Sequence, residues 1–342
     1  MNNFDEKMMQ RCIELAQLGL GRTYPNPLVG CVIVHEKQII SEGWHQKAGD
    51  AHAEVNAIQS IGNKEILKNS TLYVSLEPCA HHGKTPPCAD LIIQHQIPRV
   101  IVGTSDPFAK VNGLGIQKMK EAGIEVKIGV REQKSKELNK RFFTFHEKKR
   151  PYILLKWAET KDGFMAPADQ NQKWISSPFS KQLVHKWRTE EQGILVGTAT
   201  AKIDNPQLNA RLWEGNQPIR MVLDRDLKLN SNLNLWDKTQ KTLVFTEQSK
   251  ENSRNLEYIS VSFDEHLAEQ ILKELHKRQI QSIIIEGGKQ TLETFIRKGL
   301  WDEARVFKSS ENWGAGIPSP EISGQLIECR NIGNDKLEIY QK

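Results

Sequence analysis

Two short stretches of the chain bring together residue types that can bind a metal ion and move protons. The stretch "AHAEVNAI" (51–58) contains His52 and Glu54, and "SLEPCAHHGKTPPCADLII" (75–93) contains Cys79 and Cys88. Imidazole and thiolate groups are ligands that zinc prefers, and a catalytic zinc site combines three protein ligands with a fourth position for water. The sequence therefore predicts a catalytic Zn2+ site formed by His52, Cys79 and Cys88.

Glu54 is predicted to be the catalytic residue beside this site. It lies two residues after His52, at the start of the same predicted helix, where it cannot easily reach the metal as a fourth ligand. A carboxylate there can take a proton from the attacking water and return it to a leaving amine. The order His-x-Glu followed by Pro-Cys is typical of nucleobase deaminases, although eight residues separate the two cysteines here. A structural or vestigial metal site is the alternative, and His81 and His82 are predicted to be loop or substrate-side residues.

The elements that position these residues are predicted to alternate between strand and helix, which favours an α/β fold. In the first half, "LVGCVIVH" and "QIISEGWH" are predicted strands joined by a turn at Glu36 and Lys37. "HAEVNAIQSI" and "CADLIIQHQI" are predicted helices, and the charged segment 131–146 is predicted to be one further helix. A second series of strands and helices begins with "YILLKWA".

The length of 342 residues is enough for two domains, each with its own core. We place the boundary near 147–151, where charge peaks at "EKKR" and Pro151 would end a helix. The "EKKR" cluster itself is interpreted as a solvated linker. The predicted domains extend over residues 1–147 and 151–342.

The composition and net charge limit which partners and which cellular location we expect for the protein. The net charge of +5, without a long Lys/Arg block, fits a phosphorylated small molecule and gives no reason to expect a nucleic-acid partner. No signal-type segment and no apolar run of about 18 residues is present, so we expect a cytoplasmic protein without membrane contact. An odd number of cysteines, five, argues against a disulfide framework. We further expect a homo-oligomer.

The motifs of both halves resemble a known family. "YPNPLVGCVIV", "EGWHQKAGDAHAEVNAI" and the long "EPCAHHGKTPPC" loop are similar to the deaminase half of the RibD family, the bifunctional pyrimidine deaminase/reductases of riboflavin biosynthesis. "PYILLKWAETKDG", "GILVGTATAKIDNPQLNAR" and "IIIEGG" resemble the reductase half of that family. The resemblance extends over about residues 5–305 and implies a cytidine-deaminase-like zinc domain followed by a dihydrofolate-reductase-like NADPH domain.

The resemblance also implies two reactions and the residues that serve them. The first is zinc-dependent hydrolytic deamination of 2,5-diamino-6-ribosylamino-4(3H)-pyrimidinone 5′-phosphate, and the second is NADPH-dependent reduction of the ribosyl group to ribityl. The NADPH contacts that it implies are Glu159, Trp174, Thr200, Asp204 and Gly288. The substrate contacts that it implies are Asn26, Gln172, Arg188, Leu208, Arg211 and Glu286.

Other candidate residues have open alternatives. Arg225 follows the "MVLD" strand and is a candidate for the NADPH 2′-phosphate, or else a solvated charge. Lys156 is a candidate for polarising the substrate carbonyl, or else a lysine at the edge of the core with its charged end in solvent. His45, Lys84 and Thr85 are candidates for contacts with the phosphate or the sugar of the substrate. "GTAT" (197–200) is predicted to be a loop and "EGGKQT" (286–291) a strand end, two glycines and a helix start, both suited to an anion.

The second half departs from the family pattern in three places. Glu159 and Gln172 stand where small residues are usual, and the tail after Phe307 is rewritten. Two alternative functions remain open from the residues: a nucleoside or tRNA adenosine/cytidine deaminase with an accessory domain, and a non-catalytic zinc-binding scaffold.

Overall fold

The structure is a computed structural model that describes residues 3–80, 86–108, 112–169 and 175–342. Its internal contacts divide the chain into two compact units, Met1–Lys148 and Lys149–Lys342. Each unit is described by itself below.

The first unit is built on a mixed sheet with the strand order β2-β1-β3-β4-β5. β1 pairs antiparallel with β2 and β3, and β3, β4 and β5 run parallel. The β1–β2 turn is at Glu36 and Lys37, as predicted, and both residues adopt the positive φ angles of a tight hairpin. The strands are β1 (Gly30–His35), β2 (Gln38–Trp44), β3 (Thr71–Leu76), β4 (Arg99–Thr104) and β5 (Glu125–Ile128). The helices are α1 (Asn3–Gln17), α2 (Ala53–Gln59), α3 (Cys88–Gln94), α4 (Leu114–Glu121), α5 (Glu132–Leu138) and α6 (Lys140–Lys148), with a short 3-10 helix at Lys64–Asn69.

Both faces of this sheet are buried because successive strand residues point to opposite sides. Cys31 and Ile33 of β1 pack in a cluster with residues of α2, α3 and α4. Val32 and Val34 pack in a second cluster with residues of α1. The first unit is therefore a three-layer α/β sandwich, as the alternating sequence pattern predicts.

The prediction of a single helix over 131–146 is wrong. The segment forms α5 and α6 with a break at Asn139. The side chain of Asn139 pairs with the backbone of Leu28, accepting from its N–H and donating to its C=O, both at 2.8 Å. This side-chain pairing with a distant backbone interrupts the helix, since Asn competes well for such bonds.

The end of α6 also differs from the prediction. Lys149, with φ of 53°, leaves the helical region two residues before Pro151, so the left-handed residue ends the helix rather than the proline. The "EKKR" cluster is only partly a solvated linker. Arg150 donates to both carboxylate oxygens of Asp302, at 2.5 and 2.7 Å, and this ion pair belongs to the second unit.

The second unit is built on a long sheet with the strand order β11-β10-β9-β8-β12-β6-β13-β16-β15. The strands from β11 to β13 are parallel, and β16 and β15 complete the sheet in antiparallel pairing. β7 and β14 form a separate small antiparallel pair. The strands are β6 (Tyr152–Glu159), β7 (Phe164–Pro167), β8 (Gly193–Val196), β9 (Ile219–Leu223), β10 (Thr242–Thr246), β11 (Leu256–Ser260), β12 (Ser282–Ile285), β13 (Glu303–Lys308), β14 (Gly316–Pro318), β15 (Gln325–Ile332) and β16 (Asp335–Gln341). The helices are α7 (Pro178–Glu190), α8 (Thr198–Asp204), α9 (Leu267–Lys277) and α10 (Lys289–Arg297), with a 3-10 turn at Asn234–Trp236.

The parallel strands of this sheet are near-continuous apolar runs because helices cover both of its faces. Alternate residues of β6 illustrate the two sides. Ile153 and Leu155 pack in a cluster with α9 and α10, whereas Leu154 packs in a cluster with α7 and α8. This unit is therefore also an α/β sandwich, with a mixed sheet.

The remaining cysteines are not paired. Cys12 and Cys31 are fully buried among apolar side chains, and Cys329 is exposed. Among the described residues, no helix combines the length and apolar character needed to cross a bilayer.

Candidate functional site

Three metal-binding side chains converge in the first unit. His52 is the N-cap of α2, Cys88 is the first residue of α3, and Cys79 lies three residues beyond the end of β3. One ligand atom from each lies within 4.8 Å of the other two. The starts of α2 and α3 and the segment after β3 thus bring together residues that are up to 36 positions apart in the sequence.

The spacing of these atoms fits a tetrahedral zinc ion. His52 Nδ1 is 3.3 Å from Cys88 Sγ and 3.7 Å from Cys79 Sγ. With the usual Zn–S and Zn–N bond lengths, two ligand atoms of a tetrahedral site are separated by about 3.6 Å. The three side chains could therefore hold zinc with little movement.

The two thiols have different proton affinities in the metal-free chain. The hydrogen bond with the Cys88 thiol is the largest of the effects that lower the pKa of the Cys79 thiol to about 4, and His52 lowers it further. The Cys88 backbone N–H also donates to Cys79 Sγ at 3.3 Å. Cys79 is thus poised as a thiolate, and binding of zinc requires the loss of the proton that Cys88 keeps.

Glu54 lies in the first turn of α2 and is only 3% exposed. Burial raises the pKa of its carboxyl above the usual value, and the charge of His52 offsets this only in part. A buried carboxyl with raised proton affinity is suited to general acid–base chemistry.

Asn26 is oriented by a buried histidine. His45 is 2% exposed, and burial lowers its pKa, so its ring is neutral. His45 Nδ1 lies 3.1 Å from the Ala51 carbonyl, which can only accept, and therefore carries the ring proton. His45 Nε2 then accepts from the Asn26 side-chain amide at 3.1 Å, which leaves Asn26 Oδ1 as the atom that could accept from a base edge.

Glu77 is a structural residue of this region that the sequence analysis missed. Its buried carboxylate accepts four backbone N–H bonds of 3.0–3.2 Å, from Asp106, Gly113, Gly115 and Ile116. A side chain at Gly115 would overlap the Pro78 carbonyl. Glu77 thus holds the β4–α4 connection against the segment that carries Cys79. The "LEPC" stretch contained the residue but gave no sign of these distant partners.

The second unit contains a cavity of about 670 Å³, in the range of small-molecule sites. It lies where the parallel strands β6, β8 and β12 end, the usual ligand position in such sheets. Eight of the residues singled out from the sequence line it: Lys156, Arg188, Thr200, Asp204, Leu208, Arg211, Glu286 and Gly288.

A network of charges occupies one wall of this cavity. Arg188 donates to both carboxylate oxygens of Glu286, at 2.8 and 2.7 Å, and Lys156 Nζ lies 3.9 Å from one of them. Burial raises the pKa of Glu286, but the charges of Arg188 and Lys156 outweigh it and leave that pKa below its usual value. Burial lowers the pKa of Lys156 and raises that of Asp204. Lys156 is therefore a partly buried residue of the cavity wall, with its Nζ atom beside Glu286.

Small residues form another wall. A side chain at Gly197 would overlap the Thr291 hydroxyl, and one at Gly287 would lie 3.1 Å from Thr200. Gly287 and Gly288 have positive φ angles and lead into α10, as predicted for "EGGKQT". The backbone at the start of α10 is thus accessible to an anion such as a cofactor phosphate.

The prediction that "GTAT" is a loop is wrong. Gly197 is the N-cap of α8, and Thr198–Asp204 are helical. The Thr198 hydroxyl donates to the Leu223 carbonyl of β9 and so fixes the start of the helix. This tertiary bond outweighs the weak helix propensity of Gly and Thr.

Some predicted residues lie elsewhere. Glu159 is buried outside the cavity lining, where it accepts from Trp157 Nε1 at 2.8 Å. Arg225 is an exposed residue that donates to Glu247 at 2.8 Å and does not line the cavity. The other candidates lie outside the described residues: His81, His82, Lys84, Thr85, Gln172 and Trp174.

Lys181 and His185 also line the cavity, and the sequence analysis missed them. They precede Arg188 on α7 by seven and three residues, so all three share one helix face. This spacing was the available signal, since Arg188 had already been singled out.

Comparisons with known proteins agree with the two-unit architecture. Residues 2–104 match the family model for the cytidine and deoxycytidylate deaminase zinc-binding region, and residues 151–335 match that for the RibD C-terminal domain. Riboflavin biosynthesis protein RibD of Aquifex aeolicus is 37% identical, over 100% of this chain and 99% of the relative. The Escherichia coli RibD protein is 35% identical, over 89% of this chain and 87% of the relative.

Solved structures match over nearly the whole chain. A diaminohydroxyphosphoribosylaminopyrimidine deaminase/5-amino-6-(5-phosphoribosylamino)uracil reductase from Thermotoga maritima is 37% identical with a TM-score of 0.91, over 99% of this chain and 98% of that one. Acinetobacter baumannii RibD is 33% identical with a TM-score of 0.92, over the same shares. Since relatives above 30% identity align from end to end and each unit matches its own family model, the chain belongs to the RibD family of riboflavin biosynthesis proteins.

Proposed function

We propose that this chain catalyses two successive reactions of riboflavin biosynthesis. The first unit removes the 2-amino group of 2,5-diamino-6-ribosylamino-4(3H)-pyrimidinone 5′-phosphate by hydrolysis, and the second reduces the ribosyl group of the product to ribityl with NADPH. The observation that carries the proposal is the occurrence, in one chain, of a three-donor metal cluster with a buried carboxyl and a separate cavity lined by charged groups. The full-length likeness to the Thermotoga maritima deaminase/reductase supports the same pair of reactions.

In the deaminase, His52, Cys79 and Cys88 are the proposed zinc ligands and Glu54 the catalytic residue. Zinc, when bound, would lower the pKa of a water molecule so that it can act as a nucleophile at neutral pH. Glu54 takes the proton that this water gives up and delivers it to the leaving amine. Asn26 accepts from the pyrimidine edge through Oδ1, and His45 keeps the Asn26 amide in that orientation.

In the reductase, NADPH would supply the hydride. Thr200, Asp204 and Gly288 are its proposed contacts, with the start of α10 facing a phosphate. Arg188 and Arg211 bind the 5′-phosphate of the substrate, because guanidinium groups pair well with phosphate oxygens.

The reacting end of the substrate is assigned to the charged wall. Lys156, held by Glu286, donates to the sugar oxygen whose negative charge grows during reduction. Leu208, which is 2% exposed, closes the apolar side of the cavity. Gln172 and Trp174 remain proposed contacts of substrate and cofactor, outside the described residues.

We also infer that the protein acts on a small molecule, as a cytoplasmic homo-oligomer, without a nucleic-acid or membrane partner. The alternative of a nucleoside or tRNA deaminase with an accessory domain gains no support from relatives that align over both units. A non-catalytic zinc scaffold does not account for a buried carboxyl beside a three-donor cluster, since a structural zinc site uses four ligands and no base.

The test is to supply the purified protein with the diaminopyrimidinone phosphate, with and without NADPH. Ammonia should be released in both cases, and NADPH should be oxidised only when the substrate is present. The already deaminated ribosylamino compound should be reduced without release of ammonia. Absence of both reactions in zinc-loaded protein would refute the proposal.

A further inference from the structure

His185 lies in the wall of the reductase cavity next to the groups assigned to the substrate phosphate. It shares one face of α7 with Lys181 and Arg188, and all three line the cavity. His185 is 2% exposed, so its ring is part of a packed wall rather than a surface side chain. No step of the proposed mechanism uses this residue.

The hydrogen-bonding capacity of the His185 ring is only partly used. Its Nδ1 atom is buried and has no hydrogen-bond partner among the residues that the structure describes. Buried polar atoms of this kind are uncommon and have a physical cause, such as a site for a ligand or a change of protonation. Because His185 lines the cavity, a ligand that enters the cavity lies close to this incompletely bonded ring.

The charges around His185 keep it neutral while the cavity holds no anion. Burial is the main cause that lowers the pKa of His185 to about 4, and Arg188 and Arg211 lower it further. Lys181 acts in the same direction, and only Glu286 opposes it. Among the described lining residues, five are Lys or Arg and three are Asp or Glu, so the cavity has an excess of positive charge.

We propose that His185 is a further substrate-binding residue, which takes up a proton from solvent when a phosphate monoester enters the cavity and then acts as a positively charged donor beside Arg188 and Arg211. This inference rests on the assignment of the substrate phosphate to those two arginines. A dianion offsets the arginine charges that disfavour imidazolium, so binding of the anion and binding of the proton favour each other. The wall thereby gains one more positive charge only when the correct type of ligand is present.

The direct test is a histidine NMR titration of the full-length, zinc-loaded protein with sulfate as the probe. Sulfate is a dianion throughout the relevant pH range, so any titration belongs to the protein. The signal of His185, one of ten histidines, is identified by its loss in His185→Asn or, should that variant not fold, in His185→Gln. We expect a titration midpoint well below 6.5 without sulfate and an upward movement of about 3 pH units with saturating sulfate, which is the shift that a gain in binding of about 10-fold near pH 6 requires. Sodium chloride at equal ionic strength is the control and should have little effect.

A variant of the cation environment tests the cause of the shift. Arg211→Gln removes one of the charges that disfavour imidazolium, so it should raise the midpoint of His185 in sulfate-free protein. The same variant should reduce the additional movement caused by sulfate. An unchanged midpoint in Arg211→Gln would contradict the proposed electrostatic origin.

The kinetic test separates substrate binding from chemistry. Near pH 6, His185→Asn should raise the KM of the reductase substrate by about 10-fold, with a much smaller change in kcat, since one charged hydrogen bond is lost. The difference should shrink near pH 8, where imidazolium is scarce in both proteins. His266→Asn is the matched control, because His266 is 63% exposed and lies outside the cavity lining.

The outcomes distinguish this inference from the proposed function. If the midpoint of His185 did not move with sulfate, the inference would be wrong even in a fully active reductase. If sulfate moved the midpoint but the protein reduced no ribosylamino compound, the proton-linked anion site would stand and the proposed function would fail.

Discussion

At the scale of single residues, Glu54 lies beside the three candidate metal donors but is not one of them. It lies in the first turn of α2 directly after the His52 N-cap, and burial raises the pKa of its carboxyl. Three other side chains could supply the metal donors, which would leave the carboxyl available for proton transfer. Its chemistry can therefore be removed without removing a ligand.

Glu54→Gln keeps the size of the side chain but cannot exchange a proton. We expect deamination to fall by at least about 10³-fold, because this residue serves more than one proton transfer and each general acid–base step is worth about 10²–10⁴-fold. The zinc content, measured by elemental analysis, should remain near one per chain. Near-normal release of ammonia would mean that another group is the base.

The sequence singled out the three donors that the structure brings together, but not the residues that support them. His52, Cys79 and Cys88 were recognisable because imidazole and thiol groups in this order are typical of zinc sites. Glu77 and His185 were not, since the role of Glu77 depends on backbone N–H groups 29–39 residues away and that of His185 on a cavity formed by several elements. Residue types are visible in a sequence, whereas such long-range partners are not.

At the scale of elements, the β4–α4 connection depends on one carboxylate. Glu77 follows β3 directly and accepts two N–H groups from this connection and two from the first turn of α4. Gly115 of α4 lies against the Pro78 carbonyl, one residue before Cys79. The position of a metal donor is thus coupled to the order of a segment more than 25 residues further along the chain.

Glu77→Gln should weaken both the fold of the first unit and its hold on zinc. An amide NH2 group cannot accept the N–H bonds that one carboxylate oxygen accepts, so we expect a loss of about 2–4 kcal/mol in the free energy of unfolding. Zinc affinity should fall by about 10–100-fold, as is usual when the support of a metal ligand is removed. Chemical denaturation and competition with a chelator measure the two effects.

The control for this variant is Glu121→Gln. Glu121 is an exposed carboxylate of α4 in the same unit, where it accepts a hydrogen bond from the Gln117 side chain. Its substitution should change stability by less than about 0.5 kcal/mol. Equal behaviour of the two variants would show that Glu77 does not hold the connection as described.

Element boundaries were less predictable than element types. The existence of the helices at His52 and Cys88 followed from apolar patterning and was confirmed. The break at Asn139 and the helix at "GTAT" were missed, because the first depends on the Leu28 backbone and the second on the Leu223 carbonyl. In both places a tertiary hydrogen bond determined the secondary structure, although the local sequence favoured a different one.

At the scale of the whole molecule, the two chemistries use different units. The metal donors and Glu54 precede residue 90, and the lining of the reductase cavity begins at Lys156. Each unit has apolar clusters on both faces of its own sheet. The residues of each candidate site therefore belong to a single unit.

Arg211→Ala and Glu54→Gln should therefore affect separate reactions. Arg211→Ala should weaken reduction by about 10–100-fold, mainly through KM, because a charged hydrogen bond to the substrate phosphate is worth about 1.5–3 kcal/mol. Release of ammonia should stay unchanged. Glu54→Gln should leave NADPH oxidation intact when the deaminated compound is supplied. Loss of both activities in either well-folded variant would contradict the assignment of one reaction to each unit.

The closeness of Cys79 and Cys88 has a consequence for the lifetime of the protein. Without zinc, the low pKa of Cys79 makes it a thiolate at neutral pH, with the Cys88 sulfur within 4.8 Å. A peroxide would oxidise such a thiolate to a sulfenic acid, and the Cys88 thiol would then displace water from it to form a disulfide, which has no thiolate left for a metal. A zinc ion bound by both sulfurs would therefore also protect them, and protein oxidised in this way would need a reductant before it could bind zinc again.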